Sequence, residues 1–566
     1  MPPAGADVSI KQPPFLAADI LMLILPPPAD AVLGRRISMI RLVMAVTAVI
    51  AAAVLVPKPA ALAQDAADKQ LGSVHFKTSC NETAQRRFDR AMRYQHSFWY
   101  RASQEIFEEA LKADPECAIA HWGIALSLLY NPHAPPPPEN LPLGLAALQK
   151  GKAIGAKTQR ERDYIDALLV FYTDYDKIDH RTRVQAYLKA IEGVAQRYPD
   201  DDEAQIAYAI TLNVAASPAD KTYANQLKGA AILEPVFQRL PHHPGVAHYL
   251  IHLYDYPPIA EKGLEAAKRY ANIAPAAPHA QHMPSHIFTR VGYWKESIAS
   301  NIASAKAAKE SKEWDDQMHG MDYLVYAYLQ LGQDKNARDV VDEMAQVTGY
   351  KRFVGPYALA ASAARYVVER GEWKSAANLQ VRSTQFAYAD AVTHFARALG
   401  AARSGQPDAA MADIAKLAEL RDRLRAAKDA YWSEQVDIQW QVANAWVLNA
   451  AGKHDEALNA MRAAADAEDK TEKHPVTPGP LAPARELYGA MLLERGMAKE
   501  ALAAFEATVG KEPNRYNGFA GAAKAAATVG DRAKAKAYYE KLVGMTSSSD
   551  GTRPELAAAR QFLAGN

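Results

Sequence analysis

The sequence has 566 residues, with 65 lysines and arginines against 64 aspartates and glutamates, and a formal net charge of +1. This balance, without a long basic run, argues against electrostatic binding of nucleic acids. The two cysteines, Cys80 and Cys117, are too few for a multi-disulfide scaffold or for a cysteine-built zinc or iron–sulfur site. A hydrophobic content of 49% is enough for a sizeable core, in several compact domains or in one repeat array.

Residues 1–63 are predicted to be a signal or targeting segment. Three arginines between positions 35 and 41 precede an apolar stretch, 42–56, and Ala61–Ala63 has the small-residue pattern of a cleavage site. The mature chain is therefore expected to start near residue 64 and to be exported, either to the periplasm or as a secreted protein. The apolar stretch is shorter than the ~20 residues that span a bilayer, so no stable membrane span is expected in the mature form.

Three alternatives remain open at this end of the chain. One alternative is that the apolar stretch is a membrane anchor. A second is that Arg35-Arg36 begins a twin-arginine signal, and a third is that translation starts at Met39 rather than at Met1. Export also permits a disulfide between Cys80 and Cys117, because disulfides persist in oxidising compartments. Two separate buried thiols are the alternative.

From Ala84 onward the sequence is rich in alanine, with apolar residues at helical spacing and glycine or proline breaks, which predicts one α-helix after another. The register is clearest near the C-terminus, where the same residue types recur 34 positions later. There, Gly496, Ala501 and Phe505 are followed by Gly530, Ala535 and Tyr539. Small residues let two helices approach, and the aromatic ring fills the space between them.

This period and these residue types resemble the tetratricopeptide repeat. The matching positions near the C-terminus are Gly489, Gly496, Ala501, Phe505 and Pro513, and those near the N-terminus are Phe107, Ala110 and Pro115. The resemblance implies an all-α, right-handed superhelical solenoid of helix-turn-helix repeats. Its concave groove is expected to bind a protein segment or a small ligand.

The repeat pattern and its interruptions divide the chain into segments. In chain order these are a lead-in at 64–83, repeats at 84–240 with a Pro-rich loop at 131–144, His-rich central repeats at 241–345, further repeats at 346–467, a Pro-rich linker at 468–483, C-terminal repeats at 484–545 and a tail at 546–566. The Pro-rich loop is interpreted as a plain connector, with a cap over the groove as the alternative. The Pro-rich linker is interpreted as a break or hinge.

Histidine is unevenly distributed: eight of the 16 histidines lie between His242 and His319. If Pro241 and Pro275 close their repeats, and Gly332 is a turn glycine, the family's groove-facing positions can be assigned in three first helices. They include His248, His252 and Asp255 in one repeat, His279, His282 and His286 in the next, and His319, Asp322 and Tyr326 in the third. His242 and His243 are interpreted as solvated turn residues.

The histidine spacing predicts metal chemistry. His248/His252 and His282/His286 are i,i+4 pairs, whose side chains lie on one helix face, about 5–6 Å apart at Cβ. No glutamate follows the first histidine of either pair, so the zinc-protease motif is absent. Imidazole ligands favour zinc, copper or iron over calcium and magnesium.

The predicted metal ligands are therefore His248, His252, Asp255, His279, His282, His286, His319 and Asp322, and the predicted ligand-groove residues are His96, Arg290 and Tyr326. A metal-free polar groove and simple packing of the histidines are the alternatives. Two functions remain open. One is an exported binding scaffold with a His-rich groove, and the other is a metal-dependent enzyme in which Asp255 or Asp322 is a ligand or general base. No motif indicates a nucleophile, so enzymatic activity stays open.

Overall fold

A computed structural model describes residues 69–565. This part of the chain consists of helices and connecting segments and contains no strand. A 3₁₀ turn at Lys69–Leu71 comes first. The helices that follow are α1 (Glu82–His96), α2 (Tyr100–Ala113), α3 (Ala118–Leu128), α4 (Asn140–Ile154), α5 (Gln159–Tyr172), α6 (His180–Arg197), α7 (Asp202–Ala215), α8 (Ala224–Arg239) and α9 (Pro244–Tyr254).

The central part begins with a 3₁₀ turn at Pro257–Gly263. Its helices are α10 (Leu264–Ile273), α11 (Pro278–His282), α12 (Pro284–Arg290), α13 (Trp294–Ser311), α14 (Trp314–Gln330), α15 (Asp334–Met344), α16 (Val354–Glu369), α17 (Trp373–Ala377) and α18 (Ala387–Arg403). The remaining helices are α19 (Pro407–Ala426), α20 (Ala430–Ala450), α21 (His454–Asp469), α22 (Ala484–Glu494), α23 (Ala498–Lys511), α24 (Tyr516–Thr528), α25 (Arg532–Met545) and α26 (Pro554–Ala564).

Helices that are neighbours in the chain pack against each other, and many also contact the next helix but one. The repeat positions behave as the residue types require. Gly496 and Gly530 end their helix turns with φ of +75° and +85°, where a side chain would be strained. The Phe505 ring lies where a Cβ on Gly489 or Gly521 would collide with it. The predicted fold class is confirmed: residues 69–565 form an all-α solenoid of tetratricopeptide-like helix pairs.

The C-terminal helices return to the central ones. The Trp294 indole nitrogen donates to the Asn514 carbonyl oxygen at 2.8 Å, and the Tyr516 amide donates to Gln330 Oε1 at 2.9 Å. The Arg515 guanidinium, fully buried, forms an ion pair with Glu369 at 2.6 Å. The central helices are therefore enclosed by later parts of the chain as well as by their sequence neighbours.

Several segment boundaries differ from the sequence prediction. The first helix begins at Glu82, capped by Asn81, rather than at Ala84. The Pro-rich loop ends at residue 139, since α4 begins at Asn140 and tolerates Pro142 in its first turn.

The two C-terminal boundaries also need correction. Glu468 and Asp469 belong to α21, so the predicted linker is shorter. The predicted tail contains α26, because burial of Leu556 and Ala559 gives that segment a packed face.

Cys80 and Cys117 are joined by a disulfide that ties the segment before α1 to the start of α3. The signal segment at 1–63 and the first residues of the lead-in lie outside the described residues. Among the helices of residues 69–565, none combines the length and the apolar character that a bilayer crossing needs.

Candidate metal centre

Four central helices carry the histidines. The pair His248 and His252 lies on α9, whose residues are all buried. His279 and His282 lie on α11, and a break at Met283 separates them from His286 on α12. Pro284 takes the first position of α12, where a missing backbone N–H costs nothing. His319 lies on α14.

The first group of side chains, cluster A, consists of His248, His252 and His279. The Nε2 atom of His248 lies 3.1 Å from Nε2 of His279 and 3.1 Å from Nε2 of His252. His248 and His252 are only 0% and 4% exposed. The three potential ligand atoms lie within 4.8 Å of one another, a spacing suited to one metal ion.

The second group, cluster B, consists of His282, His286 and His319. Nε2 of His282 lies 3.0 Å from Nε2 of His286, and the ring of His319 is centred 4.2 Å from the ring of His282. The potential ligand atoms again lie within 4.8 Å of one another. Two ligand atoms that each lie about 2.0–2.1 Å from a tetrahedral metal ion are about 3.3 Å apart. The three observed Nε2 separations, in cluster A and cluster B, are close to this distance.

The opposite ring nitrogens have partners of the kind that orient metal ligands. His248 Nδ1 donates to the backbone oxygen of His96 at 2.7 Å. His282 Nδ1 donates to Asn301 Oδ1 at 2.6 Å, and His286 Nδ1 donates to Asp255 Oδ2 at 2.8 Å. Asn301 is fixed in this orientation because its side-chain nitrogen donates to the Ser297 carbonyl oxygen. The Nε2 atoms of His282 and His286 are left with lone pairs that face each other.

Burial also sets the protonation of these rings. It lowers the pKa of His248 to about 3, with neighbouring histidines adding to the effect. The pKa values of His252, His279, His282 and His319 are well below the ordinary value for the same two reasons. A neutral imidazole is the form that binds metal ions, and the clusters hold that form near neutral pH.

Asp255 occupies an outer position beside cluster B. Besides accepting from His286, its carboxylate accepts from Arg290 Nε at 2.8 Å and from Lys473 Nζ at 3.0 Å. Burial by itself would raise the pKa of Asp255, but Lys473 and Arg290 hold it well below the ordinary range. Asp255 is thus an ionised partner of His286, and no atom of it belongs to either cluster.

A small cavity adjoins both clusters. Its wall includes His252 and His279 of cluster A and His286 and His319 of cluster B. The rest of the wall includes Phe98, His133, Phe353 and His474. Asn131, His133 and Ala134 of the Pro-rich loop and residues 474–476 of the Pro-rich linker therefore line the cavity beside the histidines, a position that favours the cap over the plain connector for the loop.

The six histidines among the predicted metal ligands are brought together, with Asp255 and Arg290 beside cluster B, whereas Asp322, Tyr326 and His96 belong to other networks. Asp322 accepts from Ser362 and lies 3.8 Å from Arg365, outside both clusters. Burial raises its pKa to about 6, and Arg365 opposes the shift. Tyr326 accepts from Arg515 and packs against Trp294, so it does not line the cavity.

The wrong positions share one cause. On α14, His319 belongs to cluster B, and Tyr323, four positions later, lies on the same helix face. The Tyr323 ring contacts His282 and His286. The register taken from Gly332 selected Asp322 and Tyr326 instead. Tyr323 was missed although its i,i+4 relation to His319 was visible in the sequence.

A third group, the Glu203 triad, consists of His96, Glu203 and His243. Each carboxylate oxygen of Glu203 accepts from one ring: Oε2 from His96 at 3.0 Å and Oε1 from His243 at 2.9 Å. The predicted groove residue His96 is thus engaged in an interior network. His243, predicted to be solvated, is 3% exposed, because it caps α9 by accepting from the Val246 amide through Nδ1.

No family model and no curated protein matches this chain. Among solved structures, the Naa15/Naa10 complex bound to HypK-THB is 14% identical, with a TM-score of 0.23 over 85% of this chain and 73% of that one. The APC/C hetero-tetramer Cut9–Hcn1 is 10% identical, with a TM-score of 0.28 over 85% and 95% of the two chains. A monomeric IFIT1 mutant with Gppp-AAAA is 12% identical, with a TM-score of 0.32 over 84% and 98%.

The helix pairs and the two histidine clusters define the class of this molecule: a tetratricopeptide-like repeat protein with an imidazole-rich interior site. At these TM-scores the three neighbours add nothing about the site itself.

Proposed function

We propose that this chain is a transition-metal-binding repeat protein in which cluster A and cluster B each coordinate one metal ion. The ligands are the three imidazoles of each cluster, with Nε2 as the ligand atom where Nδ1 is hydrogen-bonded. Zinc, copper and iron suit such ligands. A position left open by three protein ligands faces the cavity, as in metal sites that bind a further small molecule.

One observation carries this proposal. His282 and His286 both donate through Nδ1, so neither holds a proton on Nε2 in its neutral form, yet the two Nε2 atoms lie 3.0 Å apart. Without an ion, two lone pairs would face each other in a buried site, which is unfavourable. A cation between them converts the repulsion into two ligand bonds.

The hydrogen-bond partners support the same proposal. Metal-binding histidines usually donate their second nitrogen to a carboxylate, a backbone carbonyl or another acceptor, which fixes the tautomer and the ring orientation. His286 uses the carboxylate of Asp255, His248 uses the carbonyl of His96, and His282 uses the amide oxygen of Asn301.

The binding partner at this site is proposed to be a small molecule rather than a protein segment. The histidines share the cavity wall with residues of the two Pro-rich segments and with Phe98 and Phe353, and this crowded wall favours a small molecule over a polypeptide. The cavity that remains adjoins four of the six imidazoles.

Elemental analysis of the purified chain, together with titration of the stripped protein, tests the proposal. We expect two ions per wild-type chain, and one ion per chain in the separate variants His248→Ala and His282→Ala. Each of these variants loses a central ligand of only one cluster.

His394→Ala is a matched control, because His394 also pairs with a buried carboxylate, Asp413, at 2.7 Å but belongs to neither cluster. It should keep two ions. A wild-type chain that neither retains nor rebinds stoichiometric metal would contradict the proposal.

We also propose that the chain is exported. The three arginines, the apolar stretch that follows them and the cleavage pattern at Ala61–Ala63 support this proposal. The Cys80–Cys117 disulfide supports it as well, because disulfides persist in oxidising compartments. The mass of the mature protein should correspond to a start near residue 64, and free-thiol labelling should find neither cysteine before reduction. A full-length chain with both thiols free in cells would contradict export.

A further inference from the structure

Cluster A and cluster B adjoin each other. Between the clusters, the ring of His252 is centred 6.0 Å from that of His286, and His279 lies 6.2 Å from His282. Within the clusters, the ring spacings run from 4.2 Å for His282 and His319 to 6.5 Å for His252 and His279. Ions bound in the two clusters would therefore be neighbours, which is the arrangement of a two-metal site.

We propose that the two clusters form one two-copper centre that binds dioxygen between its ions. This inference rests on the proposed metal-binding function and goes beyond it by naming the metal, the ligand and the joint action of the two sites.

The composition of the ligand set favours copper. All six side chains are imidazoles. Asp255 accepts from the outer nitrogen of His286 and belongs to neither cluster, and Asp322 accepts from Ser362. Hydrolytic two-metal sites with magnesium or manganese depend on oxygen ligands, whereas imidazole sites suit copper, which also stands at the top of the affinity series of divalent ions.

The charges around the centre favour ions of low charge. Six neutral imidazoles contribute no negative charge. Asp255, beside cluster B, is paired with both Arg290 and Lys473, and Asp316 in the cavity wall is paired with Arg352. These five charged groups sum to one positive charge. Two divalent ions would place four further positive charges in this buried site, whereas two Cu(I) ions place only two. An anion that bridges the ions is needed once they become divalent.

Dioxygen supplies that anion and balances the electrons. Each Cu(I) gives one electron to O₂, and the product is a peroxide dianion that bridges two Cu(II) ions. The O–O σ bond stays intact, no proton is taken up, and the net charge of the centre is unchanged. Release of O₂ returns both electrons to the copper ions, so no further reductant is required.

The cavity suits a diatomic ligand. It adjoins two imidazoles of each cluster, so a molecule in it reaches both ions. Phe98 provides an apolar wall: its ring is centred 5.0 Å from His279 and 4.3 Å from His248. An apolar ring on this side of the cavity limits the access of water and protons to a bound peroxide.

The experiment uses the whole protein, stripped of metal and loaded with Cu(I) without oxygen. On exposure to O₂, we expect uptake of one O₂ per two copper ions, a near-ultraviolet peroxide-to-copper charge-transfer band, and no paramagnetic resonance signal, because the two Cu(II) ions are coupled. Removal of O₂ should return the colourless Cu(I) form.

The variants separate this inference from the metal-binding proposal. His248→Ala should bind one copper, lose the band by more than tenfold and show the resonance signal of an isolated Cu(II) ion after oxidation, while His394→Ala should behave like the wild type. Two bound coppers that oxidise to separate paramagnetic ions, or that take up no O₂, would overturn the copper-pair inference and leave the metal-binding proposal intact. Preference for two zinc ions over copper in a competition titration would also overturn it. Failure to bind any metal would overturn both.

Discussion

The Glu203 triad and the two histidine clusters use similar residues at similar spacing, but they differ in where their protons lie. In the triad, Glu203 accepts from both imidazoles, and the Tyr249 hydroxyl donates to Nδ1 of His96 at 3.1 Å. Every proton has an acceptor without an ion. In cluster B, both Nδ1 atoms of His282 and His286 donate outward, and the inward nitrogens have nothing to share. The spacing of potential ligand atoms alone therefore does not identify a metal site. The positions of the imidazole protons do distinguish cluster B from the Glu203 triad.

The largest expected effect is stabilisation by metal. A ligand that binds only the folded state at a thousandfold excess over its Kd adds about 4 kcal/mol per site to the free energy of unfolding. Thermal unfolding of the stripped protein, with and without metal, should show this gain. The gain should fall by about half in His282→Ala and remain in Glu203→Gln. An equal loss in both variants would mean that the triad, too, binds an ion.

The second effect is acid sensitivity of the metal-free protein. Burial lowers the folded-state pKa of His248 to about 3, against about 6.5 for an unfolded histidine. The unfolded state therefore binds the additional proton, and stability present above pH 6.5 is lost as the pH falls, by about 1.4 kcal/mol per pH unit for each such histidine.

The Glu203 carboxylate of the triad should respond at lower pH than the buried histidines do. Burial would raise the pKa of Glu203, but the two histidines outweigh it and hold the pKa well below the ordinary value. Its contribution is present above the unfolded pKa of about 4.3 and is lost only as the pH falls below it. Unfolding followed from pH 8 to pH 4 should thus show a loss below pH 6.5 that metal suppresses. A loss that metal leaves unchanged would contradict the assignment to the clusters.

The third prediction concerns the stability that the Glu203 triad contributes. Glu203→Gln keeps the shape of the side chain and removes its charge, so two hydrogen bonds to a charged acceptor are weakened or lost. Each such bond contributes about 1.5–3 kcal/mol, and chemical denaturation should register a destabilisation of this size. The metal content should remain at two ions per chain, and a loss of metal would show that the triad is not purely structural.

The sequence predicts the helices from local periodicity, and it predicts the meeting of the six histidines from the groove-facing positions that the resemblance to the tetratricopeptide repeat implies. The i,i+4 pairs need only one helix face, and Pro241 and Pro275 place neighbouring helices in similar register. Residues that reach the site from distant parts of the chain were not predictable in this way. Lys473 contacts Asp255 across 218 positions, and nothing in its local sequence indicates that contact.

The same physical limit explains the errors. Asp322 and Asp255 are both aspartates near histidines in the sequence, and a metal site offers a role for either. Only packing decides that Asp255 accepts from His286 while Asp322 turns towards Ser362 and Arg365 on α16. His243 was assigned to solvent because prolines flank it, but its capping bond and Glu203 hold it inside.

The smallest predicted effect uses these two aspartates as a matched pair. Asp255→Asn leaves the ligands of cluster B in place but weakens the acceptor that orients His286, and loss of such an outer partner usually lowers metal affinity by about 10–100-fold. Asp322→Asn alters an equally buried carboxyl group that touches no histidine of the clusters, so its affinity should stay within about threefold of the wild type. Competition titration with a chelator of known affinity measures the metal affinity of both variants, starting from protein that is loaded with two ions. The contact with His286 is the feature that distinguishes Asp255 from Asp322. Equal metal affinities in the two variants would therefore mean that Asp255 serves to pair with Arg290 and Lys473 and does not support a metal ligand.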